Sequence, residues 1–228
     1  VLTLQITVSS AILAFWACEA QLENESWTPS DEYVLLQRTN RPCAKVPHSK
    51  VDAFKGPGEV FRYNFSSNYI GEREVLVWLP SGYHDGGRYA VLYMPDGQTA
   101  FSSLSENNFA VDEHLTKLGA QVMVVAPYNG GIRRMAEFAP ANVVERLRPE
   151  DRQKLLDSGC PDGCLYPDGR LYSDDYVDFL LHEVKPAIDG TYRTKPDKSN
   201  TFVLGSSMGG MIALYILMIR PEVFGGAI

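Results

Sequence analysis

From Val60 onward, polar and apolar positions fall into regular patterns that the preceding residues lack. The stretches "VFRYNFSS" and "REVLVWLP" alternate apolar or aromatic positions with polar ones, and an Asn-Tyr-Ile-Gly turn separates them. They read as two antiparallel strands. "YAVLYM" and "QVMVVAPY" are short, continuous apolar runs closed by Pro95-Asp96-Gly97 and Asn129-Gly130-Gly131. Such runs suit strands buried on both faces of a sheet.

Helical periods alternate with these strands. Ser103 and Glu106 have capping-box spacing, and Val111, Leu115 and Leu118 then share one face. Ser173 is the expected N-cap of a second helix, with Asp174 and Asp175 in its first turn and an apolar stripe from Val177 to Ile188. Pro186 should bend or shorten its end. A third helix begins near Met208, directs Met211, Ile212, Tyr215, Ile216 and Ile219 inward, and stops before Pro221. Strands alternating with helices imply an α/β domain with a mainly parallel sheet. The period fails between Ala139 and Leu171, where one charged helical piece and two Pro-Asp-Gly turns form either a surface insertion or a lid.

Composition narrows the class. The 228 residues are 45% hydrophobic and 21% charged, which suits a globular domain with a substantial core. A formal net charge of −7 argues against nucleic-acid or anionic-membrane binding and leaves small or neutral ligands open.

Residues 1–20 carry no charge before Glu19 and read as the apolar part of an export signal without its basic start, so stable membrane insertion is not expected once it is removed. A membrane anchor, or lipid attachment at Cys18, is the alternative. Phe15 and Trp16 fit a lipoprotein cleavage site poorly. Residues 21–55 read as an irregular extension and 56–228 as the domain. Of the four cysteines, Cys160 and Cys164 flank a turn and are the expected disulfide pair in an oxidising compartment. No second Cys pair or neighbouring His accompanies them, so no metal is expected. Asn24 and Asn64 begin glycosylation sequons, meaningful only in a eukaryote.

The chemistry concentrates in "TFVLGSSMGGMIALYILMIR". A strand runs into Gly205-Ser206-Ser207-Met208-Gly209, a GxSxG pattern, and then into an apolar helix. A nucleophile elbow needs a buried strand, a tight turn with small flanking residues, and a helix whose N-terminus faces the serine. Ser207 is the central hydroxyl, and Gly205 and Gly209 relieve crowding. Ser206 is expected to face the core or support the turn. "VLYMPDGQTAF" offers a second loop after a buried strand, where Asp96-Gly97-Gln98 lets backbone approach a ligand.

Taken together, "REVLVWLPSGY", "YAVLYMPDGQTAF", "AVDEHL", "VVAPYNGGIRRMAEFAP", "YVDFLLHEVKPAIDGTYRT" and the GxSxG segment resemble the enterochelin-esterase-like branch of the α/β-hydrolases. That group also holds S-formylglutathione hydrolases, feruloyl esterases and mycolyltransferases. The resemblance covers roughly 70–228 and implies an α/β-hydrolase fold, a mainly parallel central sheet flanked by helices. It implies Ser207 as nucleophile and the Gln98 and Met208 amides as oxyanion donors. Arg134 and Glu137 match an Arg-x-x-Glu pattern near the site, and Asp96 and Asn129 are further candidates for lining it. An exported esterase is implied, acting on small-molecule or polysaccharide-linked esters without cofactor. An acyltransferase and a non-catalytic binding protein are the alternatives.

The fold's triad order is serine, acid, histidine. Glu222 is the sole acid after Ser207, and His48, His84, His114 and His182 all precede it. The expectation is therefore a C-terminally truncated domain whose triad acid and base lie beyond Ile228, and negligible turnover by residues 1–228 alone.

Overall fold

The structure, a computed structural model, describes residues 46–157 and 170–228. One seven-stranded sheet runs through it, built from β1 (His48–Lys50), β2 (Glu59–Ser67), β3 (Gly71–Leu79), β4 (Ala90–Tyr93), β5 (Val122–Pro127), β6 (Thr201–Val203) and β7 (Gly226–Ala227). The spatial order is β1-β2-β3-β5-β4-β6-β7. Strands β1, β2, β3 and β5 pair antiparallel in succession, whereas β5, β4, β6 and β7 pair parallel. All strands except β1 and β3 thus point the same way, and the fold is mixed α/β with a mostly parallel sheet.

The helices are α1 (Val111–Lys117), α2 (Arg134–Phe138), α3 (Ala141–Val144), α4 (Pro149–Asp157), α5 (Ser173–Asp178), α6 (Lys185–Thr191) and α7 (Met208–Ile219). They cover both faces. On one face Leu76, Trp78, Leu92, Met94, Val124 and Ala126 pack with Phe101 and Val111. The alternate residues Val75, Val77, Val91, Tyr93 and Val125 are equally buried and point the other way. There Phe65 meets Phe179 edge-on at 5.7 Å, and Tyr93 meets Phe224 at 5.9 Å. Burial on both faces is why β4 and β5 read as unbroken apolar runs.

Several expectations need correction. Strand β1 already pairs with β2, so the domain begins before residue 56. Three edge residues are too few to show a period. The first helix starts at Val111, and Ser103 instead accepts the Lys55 backbone N–H at 2.8 Å. Leu118 is 77% exposed just past its end. Ser173 is buried and accepts the Ala141 N–H at 2.9 Å, so its hydroxyl joins α5 to α3 and does not cap α5.

Pro186 does not shorten its helix, which runs on to Thr191. The six residues Phe179–Val184 between α5 and α6 form a π-helical stretch. A proline lacks the N–H of the ordinary ladder and crowds the carbonyl four residues earlier, and a widened turn relieves both. Cys160 and Cys164, Cys18 and the apolar stretch 1–20 expected to direct export lie outside the described residues. Asn64 lies within β2 with its side chain exposed. Among the described residues, no helix is long and apolar enough to cross a membrane.

Candidate active site

The parallel strands place the candidate loops together. Strand β4 pairs with β5 on one side and β6 on the other, so the chain changes direction across the sheet at β4. In open α/β sheets a crevice forms at such a point, outside the carboxyl ends of the strands. Residues 94–99 leave β4 there, 128–133 leave β5, and 204–207 leave β6. The Leu204 N–H donates to the Tyr93 carbonyl at 2.8 Å, keeping the first and last exits side by side.

Ser207 stands at the tip of the β6–α7 turn. Its φ of 55° and ψ of −124° lie outside the regions a side chain ordinarily allows, a strain of about 1–3 kcal/mol. The side chain is exposed and immediately precedes the first turn of α7. Ser206 is exposed as well, so it does not face the core; its carbonyl accepts the Gly209 N–H at 2.8 Å within the turn. A helix's first N–H groups have no intrahelical acceptor, and its dipole is positive at that end. The Met208 N–H belongs to this set. Its side chain packs among Ala136, Ala139, Leu171 and Tyr172.

Gly205 is sterically required, and Gly209 is tightly packed. A Cβ on Gly205 would lie 2.0 Å from the Gly209 carbonyl oxygen, and one on Gly209 would lie 3.0 Å from Asp96 Oδ2. The second distance also shows that the β4 loop touches the start of α7.

Asp96 is 8% exposed and takes a left-handed backbone, φ 64°, that starts the 3-10 turn Gly97–Thr99. A Cβ on Gly97 would lie 2.0 Å from the Ala126 carbonyl, so only glycine lets this turn press against the end of β5. Gln98 sits in the turn, and its Oε1 accepts the Asn129 N–H at 3.3 Å.

Arg134 and Glu137 have separate partners. Arg134 clamps Asp96 through two bonds of 2.7 Å, Nε to Oδ1 and Nη2 to Oδ2, while Asn129 Nδ2 donates to Oδ1 at 2.6 Å. This clamp raises the guanidinium's pKa above its ordinary value, the Asp96 bonds outweighing desolvation. Glu137 is wholly buried and holds Arg73 of β3 through bonds of 2.6 and 2.9 Å, and it also accepts the Gly130 N–H at 2.8 Å. It supports the β5 loop from behind and does not line the crevice. Sequence reasoning missed Arg73, which precedes a plain strand residue and carries no motif.

The histidines are engaged elsewhere. His48 stacks on Tyr63 at 4.6 Å, His84 meets Glu59 at 2.9 Å, His182 is 3.6 Å from Asp178, and His114 is exposed on α1. None is hydrogen-bonded to Ser207 among the described residues.

A mostly parallel sheet with a strained serine between strand and helix defines an α/β-hydrolase-like protein. The family model described as "Putative esterase" matches residues 66–228, and the chain belongs to that family. The ferri-bacillibactin esterase BesA of Bacillus subtilis is 25% identical over 173 residues, covering 76% of this chain and 57% of that protein. The siderophore enterobactin esterase of Emericella nidulans is 24% identical over 151 residues, covering 65% and 48%. The chain thus spans about half the length of these relatives.

Among solved structures, an IroE-like serine hydrolase from Shewanella oneidensis superposes with a TM-score of 0.56 at 22% identity, covering 73% of this chain and 48% of that one. The BES protein from Bacillus cereus gives 0.54 at 21% identity, covering 78% and 64%. At these identities the likeness establishes the fold.

Proposed function

We propose that the protein is an exported serine esterase that hydrolyses carboxylic esters through an acyl-enzyme on Ser207. The observation that carries this reading is the exposed Ser207 at φ 55°, raised at the N-terminus of α7 beside the loop holding Gln98. Ser207 Oγ attacks the ester carbonyl carbon while its proton passes to a general base, and the carbonyl oxygen becomes an oxyanion. The Met208 and Gln98 N–H groups donate to that oxyanion. Its collapse expels the alcohol, which takes the proton, and water then releases the acid by the same steps. No step calls for a metal or organic cofactor.

Export is supported by the uncharged apolar stretch preceding Glu19. The names of two relatives favour a siderophore ester as substrate, and feruloyl or acetyl esters of polysaccharide are the competing class. The net charge of −7 argues against a nucleic-acid partner.

The test is hydrolysis of p-nitrophenyl acetate by the full-length gene product and its Ser207→Ala variant. A loss of at least about a thousandfold is expected. Comparable rates in the two proteins would refute the reading. Product analysis with water and with an added alcohol separates hydrolysis from acyl transfer.

A further inference from the structure

The clamp on Asp96 brings a charge problem with it. A buried carboxylate lies against the first turn of α7, with Oδ2 3.0 Å from where a Cβ on Gly209 would stand. Gly209 follows Met208, so this anion sits close to the amide assigned to the oxyanion. Left uncompensated, it would compete for the positive end of the helix and repel the negative charge that grows on the substrate oxygen. The same residue also supplies the left-handed backbone from which the Gln98 turn starts.

We infer that Arg134 is a positioning residue for ester hydrolysis: its two-bond clamp neutralises Asp96 beside the oxyanion site and fixes the turn that presents the Gln98 amide. The inference rests on the assignment of Ser207, Gln98 and Met208 made above. Three features support this role over direct substrate contact. Both Nε and Nη2 are committed to Asp96, at 2.7 Å each. Asn129 Nδ2 adds a third donor to the same carboxylate, which a group kept solely for its charge would not need. Glu137, one turn along α2, anchors the helix through Arg73, so Arg134 projects from a fixed base. The Arg-x-x-Glu spacing thereby acquires two distinct tasks, one residue holding the β4 loop and the other holding α2 and the β5 loop.

The test is steady-state kinetics on the full-length gene product. Arg134→Gln should lower kcat about a hundredfold, the scale of losing one oxyanion donor, with KM changed less than about threefold. Arg134→Lys keeps the charge and one bond and should recover at least about tenfold of that loss. Adding Asp96→Asn to Arg134→Gln removes the charge that needs neutralising, and asparagine tolerates the left-handed backbone. This double variant should therefore exceed Arg134→Gln in kcat by at least about tenfold.

A raised KM with unchanged kcat in Arg134→Gln would overturn the inference in favour of direct substrate binding. Failure of Asp96→Asn to improve the Arg134→Gln protein would overturn the charge argument. Thermal melts of each variant accompany the kinetics. If Arg134→Gln does not fold, Arg134→Lys decides: a kcat at or below about a thousandth of wild type in a folded protein contradicts the account. Full activity in Ser207→Ala would instead refute the nucleophile, a separate outcome from any of these.

Discussion

The backbones of Gly205 and Gly209 meet with no room for a side chain between them, a Cβ on Gly205 falling 2.0 Å from the Gly209 carbonyl oxygen. Strand β6 and helix α7 are locked at that point, and the lock holds Ser207 in its strained conformation. Gly205→Ala must force strand and helix apart, at a cost of about 3 kcal/mol. Gly190, within α6, has nothing within 4 Å of its Cβ position, so Gly190→Ala should stabilise by about 0.5–1 kcal/mol. Urea midpoints of the two variants should therefore move in opposite directions.

The buried Arg73–Glu137 pair yields a second test, because both side chains are almost fully withdrawn from water. Glu137→Met leaves a buried guanidinium without its counter-charge and should cost about 3–5 kcal/mol. Arg73→Met combined with Glu137→Met removes both charges and should cost less than the sum of the singles. A double-mutant cycle measured by urea unfolding checks this, and additive effects would contradict the pairing.

Tyr176 predicts a pH effect. Its hydroxyl is buried and has no hydrogen-bond partner among the described residues. Burial pushes the phenol well above its ordinary value of 10.0. The unfolded chain releases this proton near that ordinary value while the folded one keeps it, so stability is intact below about pH 10 and falls as pH rises further. Tyr176→Phe should ease that fall by up to about 1.4 kcal/mol per pH unit. At pH 7 the variant should lie within about 1 kcal/mol of wild type, because no bond among the described residues is lost. Unfolding curves from pH 7 to 11 give both numbers.

What could be read from the residues was whatever is local and repeated. Strands β2 to β5 announced themselves because alternation or unbroken apolarity follows directly from which faces are buried. The elbow was visible because the strand, turn and helix that position Ser207 are consecutive. Pairings across the chain left no such trace. Asp96 and Arg134 are 38 residues apart, and Arg73 and Glu137 are 64 apart, so only the folded sheet brings them together. Ser103 illustrates a local signal overruled by a distant one: its capping pattern was sound, but its oxygen serves Lys55. In α7 nearly every residue is apolar, so periodicity could not select the inward face, and Met211 turns out 46% exposed.

The central claim is that Ser207 is the nucleophile, and reaction of the full-length gene product with a fluorophosphonate tests it most directly. Peptide mapping by mass spectrometry should find the adduct on Ser207, and Ser207→Ala should remain unlabelled. An adduct on another residue, or no adduct on a folded protein that hydrolyses esters, would contradict the account.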